Sequence, residues 1–207
     1  MTLITFIQVV LVCLLGAMSP GPSMLVVINN ALFKNRFHGF LTSIGHGTGI
    51  LIYAFLTILG LGYLIDHYPL IFDLFQYLSA FILVYLGIKN FFFPSKIEMG
   101  KNTIKNKNIS ILQGFGISFF NPKIFVWFIA IYSQFMGPNT TILYDLILVF
   151  TAGIIDASWY IFLSIMATTT HALQFINRNI DMFQKLIGIF FIILGSFLFI
   201  NTFLIFY

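Results

Sequence analysis

The chain has 207 residues, of which 59% are hydrophobic and 8% charged, and its mean hydropathy is +1.00. Soluble domains carry about 25% charged residues, so this composition excludes a soluble globular protein. The net charge of +4 does not indicate a nucleic-acid partner, because the basic residues lie in short connections and form no basic face. The single cysteine excludes an internal disulfide and a thiolate metal site. The sequence predicts neither a metal nor a cofactor.

Six apolar segments follow one another along the chain, each long enough for a membrane-spanning helix of about 20 residues. They cover residues 3–33, 40–65, 70–93, 111–136, 142–167 and 182–207. The first is 31 residues long and is therefore expected to bend or break. No basic stretch precedes it, so we interpret it as a retained membrane helix and not as a signal peptide. The sequence predicts an all-helical, multi-pass membrane protein.

Basic residues are distributed very unevenly among the five connections. The second and fourth connections contain none, whereas nine of the ten lie in or at the edges of the first, third and fifth: Lys34, Arg36, Lys89, Lys96, Lys101, Lys105, Lys107, Arg178 and Lys185. Positively charged connections stay in the cytoplasm. This pattern predicts that the first, third and fifth connections are cytoplasmic and that both termini are periplasmic.

The two halves of the chain resemble each other weakly. Pro20 aligns with Pro122 at an offset of 102, and Gly87 aligns with Gly195 at an offset of 108. We therefore predict one transmembrane domain, residues 1–207, with a first repeat of about residues 1–93, a cytoplasmic loop at 94–110 and a second repeat at 111–207. A repeated unit of three spans is inverted in the membrane, and inverted repeats with interrupted helices are typical of secondary transporters.

Proline motifs interrupt the first and fourth segments. Ser19-Pro20-Gly21-Pro22-Ser23 should stop a helix, because proline removes a hydrogen bond and clashes with the preceding turn. Backbone freed at membrane depth is expected to line a cavity. New helices are predicted to begin at Pro22 and, after Asn121 as the N-cap, at Pro122. Two such helix N-termini favour an anion such as a carboxylate, and the alternative is a structural kink.

Two charged residues, Lys123 and Asp156, lie deep within apolar segments and far from their ends, where charges are costly and commonly functional. Lys123 falls in the first turn of the second restarted helix. It either adds positive charge for a carboxylate, pairs with an acid or extends to the membrane surface. Asp156 lies in the middle of the fifth segment. We interpret it as a group that alternates between a proton and a substrate ammonium, the alternative being a permanent ion pair with Lys123.

His46 lies in Gly45-His46-Gly47-Thr48-Gly49 at the beginning of the second segment. No strand precedes this motif, so it does not indicate a nucleotide-binding loop. Gly45 and Gly49 instead predict close helix packing. Three roles are open for His46: it could relay protons, bind substrate or serve as a hydrogen-bonded structural histidine. Asn30 either faces the cavity or packs within the protein.

These residues resemble a known family, the LysE-type amino-acid exporters, which include the homoserine/threonine efflux proteins. The resemblance extends over nearly the whole chain and rests on Ser19-Pro20-Gly21-Pro22-Ser23-Met24, Gly45-His46-Gly47-Thr48-Gly49, Tyr85-Leu86-Gly87, Asn121-Pro122-Lys123, Gln134-Phe135 and Asp156 with Trp159-Tyr160. The resemblance implies an exporter of amino acids in the bacterial inner membrane, driven by proton exchange.

The sequence therefore predicts six transmembrane helices, arranged as two inverted three-helix repeats with helices 1 and 4 broken, and a transport function. With one acid and one lysine at membrane depth, the cavity favours a neutral amino acid. The expected partners are the amino acid, protons and membrane lipid. Whether the chain forms a homo-oligomer is left open by the sequence. The predicted substrate-binding residues are Ser19, Pro20, Gly21, Pro22, Ser23, Asn30, His46, Asn121, Pro122, Lys123 and Asp156, with Asp156 and His46 in proton coupling.

Two other functions stay open from the residues. One is a passive channel for small polar solutes, whose flux would ignore a proton gradient. The other is a membrane-embedded enzyme. An enzyme is not favoured, because the sequence contains no HExxH motif, paired acids or paired thiols that would form a reactive constellation.

Overall fold

The computed structural model describes residues 2–93, 107–137, 140–168 and 170–206, which are almost entirely helical. Among these residues there is no β-strand. The helices are α1 (Leu3–Met18), α2 (Pro22–Asn29), α3 (Arg36–His67), α4 (Pro69–Phe92), α5 (Lys107–Phe119), α6 (Pro122–Phe135), α7 (Ile142–Met166) and α8 (Thr170–Phe206). A π-helical turn, Asn30–Lys34, follows α2 directly.

Four helices are each long and apolar enough to cross a bilayer, namely α3, α4, α7 and the stretch Arg178–Ile200 of α8. Two further spans are bent pairs. The axes of α1 and α2 differ by 68° and those of α5 and α6 by 57°. Counting each pair as one span gives six, as the sequence predicts. The breaks lie at the two proline motifs, so the prediction of interrupted first and fourth helices is confirmed.

Several predicted boundaries are wrong. Helix α3 begins at Arg36, four residues before the predicted span, because the side chain of Asn35 accepts a hydrogen bond from the His38 amide and caps the helix. Helix α5 begins at Lys107, inside the predicted loop 94–110. Residues 94–106 of that loop, including three of its lysines, lie outside the described residues.

Helix α8 is 37 residues long and begins twelve residues before the predicted sixth span. Arg178 and Lys185, predicted at the edges of the fifth connection, therefore lie within a helix. The stretch 170–187 contains neither glycine nor proline, so nothing stops the helix from continuing through polar sequence. Hydropathy detects an apolar run but does not detect its polar extension.

Glycines let the helices approach closely. Gly45 of α3 lies against the backbone of Ile111, and Gly114 of α5 lies against the Thr42 carbonyl, so that a methyl group at either glycine would overlap the opposite backbone. The predicted close packing at Gly45 is confirmed.

The helices α4 and α8 pack through Gly87, which faces Gly188, and through Gly195, which faces Ala80. As residue numbers rise on α4 they fall on α8, so these two helices run antiparallel. The same holds for α3 and α7, where Gly47 faces Ala157. An inverted repeat requires antiparallel counterparts, although the repeat itself stays a prediction.

Candidate functional site

The first break separates α1 from α2 by three residues. Ser19 leaves helical geometry and donates its amide to the Gly16 carbonyl, and Gly21 is fully extended. Helix α2 then begins at Pro22, as predicted, without a side-chain cap. The first amides of a helix have no partner within it. The start of α2 therefore offers amide groups inside the membrane region of the chain.

The second break is shorter and is capped. Helix α5 ends at Phe119, and Asn121 accepts a hydrogen bond from the Lys123 amide at 3.0 Å. Helix α6 begins at Pro122. Both predictions for this break, the helix start at Pro122 and the N-cap at Asn121, are confirmed. The cap places the Lys123 side chain in the first turn of α6.

The two breaks contact each other. The Lys123 ammonium donates to the Ser19 hydroxyl at 2.5 Å and to the carbonyls of Pro20 at 3.2 Å and Ser19 at 3.4 Å. The Asn121 amide donates to the Ser23 hydroxyl at 3.4 Å. A cation from one interrupted span thus lies against the polar backbone of the other, where carbonyls at the end of α1 favour positive charge.

A buried His46–Asp156 pair joins α3 to α7. The His46 Nδ1 and an Asp156 carboxylate oxygen are 2.6 Å apart, and the two residues are 1% and 6% exposed. The Tyr160 ring lies 4.5 Å from the imidazole, between centroids, and its hydroxyl is hydrogen-bonded to Ser23. The other imidazole nitrogen, Nε2, is buried without a partner among the described residues. This nitrogen is available to a proton or a ligand.

A cavity of about 50 Å³ lies where these groups meet. Its polar wall comes from the two breaks and the His46–Asp156 pair, and its apolar wall includes Ile50, Trp127 and Phe128. An apolar cavity of roughly 150 Å³ accommodates benzene. This cavity therefore has room for only a few water molecules. A molecule of the size of an amino acid would enter it only if the helices around it move apart.

The cavity brings together most of the predicted site residues. Its lining includes Ser19, Gly21, Ser23, His46, Asn121, Lys123 and Asp156. Three prolines contribute differently: Pro22 and Pro122 begin helices, and Pro20 offers its carbonyl to Lys123.

Asn30 lies apart from this cavity. Its amide donates to Thr42 at 2.7 Å and to Gln113 at 3.0 Å. Asn30 therefore does not face the central cavity, and it lines a separate cavity between α2 and α5 instead. The alternative of a Lys123–Asp156 ion pair is not the arrangement seen, because the described hydrogen bonds of Lys123 go to Ser19 and Pro20, whereas Asp156 pairs with His46.

Sequence reasoning missed Tyr160, Trp127, Gly16 and Cys13, which also line the cavity. A signal for two of them was present. Tyr160 follows Asp156 by four residues and Trp127 follows Lys123 by four, and residues four apart share one helix face. Gly16 lies directly against Trp127, so that an added methyl group would come within 2.5 Å of the indole. No spacing rule indicates that contact.

Among the described residues, no three His, Cys, Asp or Glu side chains come together as a metal site would require. The His46–Asp156 pair is a close acid–base contact in the wall of this cavity. Proton chemistry at this site would therefore involve that pair.

Comparison with known proteins decides the family. The model of the LysE type translocator family matches residues 14–202, which include both breaks and the His46–Asp156 pair. The chain belongs to the LysE type translocator family. This membership places the interrupted helices and the cavity between them in a family of membrane translocators.

Individual relatives match over most of their length. The leucine efflux protein of Salmonella typhimurium is 29% identical over 179 residues, 84% of each chain. The same figures hold for the leucine efflux protein of Salmonella typhi. The uncharacterized membrane protein YrhP of Bacillus subtilis is 27% identical over 181 residues, 82% of this chain and 86% of that protein. No solved structure matches this LysE type chain.

Proposed function

We propose that this protein is a secondary-active exporter of small neutral amino acids across the bacterial inner membrane, driven by proton antiport. The family and the leucine efflux relatives support amino-acid export. The observation that carries the proposal is geometric. Two helix starts inside the membrane region meet at one cavity, with the ammonium of Lys123 at the breaks and the His46–Asp156 pair in the same wall.

The substrate carboxylate is assigned to the breaks. It would accept hydrogen bonds from the uncapped first turn of α2 and from Lys123, which now donates to Ser19 and Pro20. Hydrogen bonds to charged groups are worth about 1.5–3 kcal/mol each. The bonds of Lys123 to the neutral carbonyls are of this kind too, but an ionised carboxylate adds charge–charge attraction and therefore competes well for Lys123.

The substrate ammonium is assigned to Asp156, with the Tyr160 ring beside it. Asp156 is buried and hydrogen-bonded to one partner, His46. A carboxylate and an imidazole in contact can hold a proton between them when the substrate has left and release it when an ammonium arrives. Alternation between proton and ammonium at one carboxylate gives exchange of one for the other.

The remaining wall selects the side chain of the substrate. Ile50, Trp127 and Phe128 are apolar, and the two charges at the site are matched by the carboxylate and the ammonium of the substrate. A third charge on the substrate would have no partner in this wall, and an unpaired buried charge is strongly penalised. A neutral amino acid therefore fits this cavity better than a dibasic one.

Efflux from proteoliposomes loaded with radiolabelled L-leucine tests the proposal. With the wild type, we expect a medium more acidic than the lumen to accelerate efflux, because protons enter as leucine leaves. Asp156→Asn should abolish this acceleration, since the amide cannot exchange a proton. Asp66→Asn and His67→Gln, at exposed positions near the end of α3, are matched controls that should keep it. An unchanged pH response in Asp156→Asn would overturn the coupling role, and flux that ignores the gradient in the wild type would indicate a passive channel.

A further inference from the structure

A second group of polar side chains lies around the π-helical turn at the end of the first span. The turn is defined by the Asn35 amide, which donates to the Asn30 carbonyl five residues earlier at 3.2 Å. π-Helical turns are rare, and this one ends the first span, since the backbone of Asn35 is extended. Neither glycine nor proline occurs in the turn, so its presence needs a reason in the surrounding contacts.

Lys34 ends this turn and is 8% exposed. Its ammonium donates to the Gln113 side-chain oxygen at 3.2 Å, and the Asn30 amide donates to that same oxygen at 3.0 Å. No acidic side chain pairs with Lys34 among the described residues. A buried cation is costly unless an anion compensates it. The neutral amide of Gln113 compensates Lys34 incompletely.

A cavity of about 380 Å³ lies beside this group, between α2 and α5. Asn29, Asn30 and Gln113 line it together with apolar residues of the two helices. The Asn29 side-chain oxygen is buried and has no hydrogen-bond partner among the described residues. Lys34 does not itself line the cavity but donates to Gln113, which does. A carboxylate that displaces the Gln113 oxygen would therefore meet the Asn30 amide and the Lys34 ammonium, and the orphaned Asn29 oxygen suits an ammonium.

We propose that this cavity is a second binding site for the α-amino acid, separate from the central cavity. The substrate carboxylate takes the place of the Gln113 oxygen against Lys34 and Asn30, and the ammonium binds the freed Gln113 oxygen and Asn29. The choice of an amino acid as the ligand rests on the proposed function. The basic residues place this end of the molecule at the cytoplasm, so an exported amino acid fills this site first.

The volumes of the two cavities support this order. The central cavity measures about 50 Å³ and the outer one about 380 Å³. In the conformation described, a small amino acid fits the outer cavity and not the central one. The phosphate of a lipid headgroup has the same anionic chemistry as a carboxylate, so an experiment needs to distinguish these two sources.

Equilibrium binding of radiolabelled L-leucine to the full-length protein in phosphatidylcholine liposomes tests the second site. The chain has two tryptophans, so the Trp159→Phe variant leaves Trp127 as a fluorescent reporter of the central cavity. We expect two leucine molecules per chain in this background. Adding Lys34→Gln should reduce the number to one while the Trp127 response to leucine persists. Lys185→Gln, which removes a charge from an exposed position on α8, should keep both.

The other possible results of the leucine-binding experiment also support or overturn the second site. If one leucine binds per chain both in the Trp159→Phe background and after Lys34→Gln is added, the proposal is overturned. If phosphatidylglycerol liposomes abolish the Lys34-dependent leucine and phospholipid copurifies instead, the occupant is a lipid phosphate and the amino-acid site is wrong. If Lys34→Gln loses both leucine molecules, Asn29→Ala decides: loss of one leucine with the Trp127 response kept supports the site, and retention of both overturns it.

The two proposals fail separately. Lys34-dependent binding of leucine without any Trp127 response would contradict the assignment of the central cavity while leaving the outer site intact. If Trp127 reports leucine binding and Lys34→Gln does not alter the amount bound, the outer site is contradicted and the assignment of the central cavity is left intact. Leucinol, which lacks the carboxylate, adds a check on the chemistry, because it should compete poorly for the Lys34-dependent site.

Discussion

The two breaks differ in the hydrogen-bonding groups that they present and in whether their own residues satisfy those groups. The second break is self-contained, because Asn121 caps α6 and fixes Lys123 in its first turn. The first break has no side-chain cap on α2 and depends on Lys123 to satisfy the carbonyls of Ser19 and Pro20. One break thus presents acceptors and free amides, and the other presents a donor. A ligand with a carboxylate would contact both breaks and replace the carbonyls as the partner of Lys123.

The largest effect is expected from Lys123→Gln. The substitution removes the positive charge but keeps an amide that can donate to the Ser19 and Pro20 carbonyls. Losing a hydrogen bond to a charged ligand costs about 1.5–3 kcal/mol, so leucine efflux from proteoliposomes should fall roughly 10- to 100-fold. Lys185→Gln is the matched control and should transport at the wild-type rate. Wild-type efflux by Lys123→Gln would show that the second break does not supply the ligand contact.

A smaller effect is expected from Asn121→Ala, which removes the cap of α6. Loss of an N-cap costs about 1 kcal/mol, and the free energy of unfolding in mixed detergent micelles should fall by that amount. Asn121→Ser keeps a capping oxygen and should recover most of the loss. If Asn121→Ala is as stable as the wild type, the second break is not held by its own cap, and the contrast between the two breaks disappears.

The sequence predicts the breaks well and their contacts poorly, and the reason is physical. Proline lacks an amide hydrogen and fixes its own φ, so Pro22 and Pro122 determine locally where α2 and α6 begin. Partner choice is not local. His46 and Asp156 are 110 residues apart, and their pairing depends on the rotation of α3 against α7. Only the packed helices reveal that rotation, and for this reason the sequence left the partner of Asp156 open.

The π-helical turn shows a similar limit. Its five residues, Asn30–Lys34, have ordinary helical composition, and nothing in that stretch distinguishes a π-helical turn from an α-helical one. The turn places both Asn30 and Lys34 within reach of the Gln113 oxygen. That arrangement follows from contacts between spans one and four. A sequence pattern within span one carries no information about these contacts.

The smallest effect is expected from Gly21→Ala at the first break. The φ of Gly21 is −178°, an extended value that other residues adopt, and the nearest heavy atom to an added methyl group is the Lys123 Nζ at 3.7 Å. Alanine also restricts the unfolded chain, so the free energy of unfolding should change by less than about 1 kcal/mol. Gly114→Ala is the contrasting variant, because its methyl group would overlap the Thr42 carbonyl, and overpacking of this kind costs about 1–3 kcal/mol.

Thermal unfolding of the two glycine variants in one detergent measures both effects. If Gly21→Ala destabilises the protein more than Asn121→Ala does, the first break requires glycine for its own conformation. It would then be as self-contained as the second break, and its dependence on Lys123 would have to be abandoned. If Gly21→Ala is neutral while Lys123→Gln weakens transport, the first break is a flexible acceptor whose geometry the second break determines.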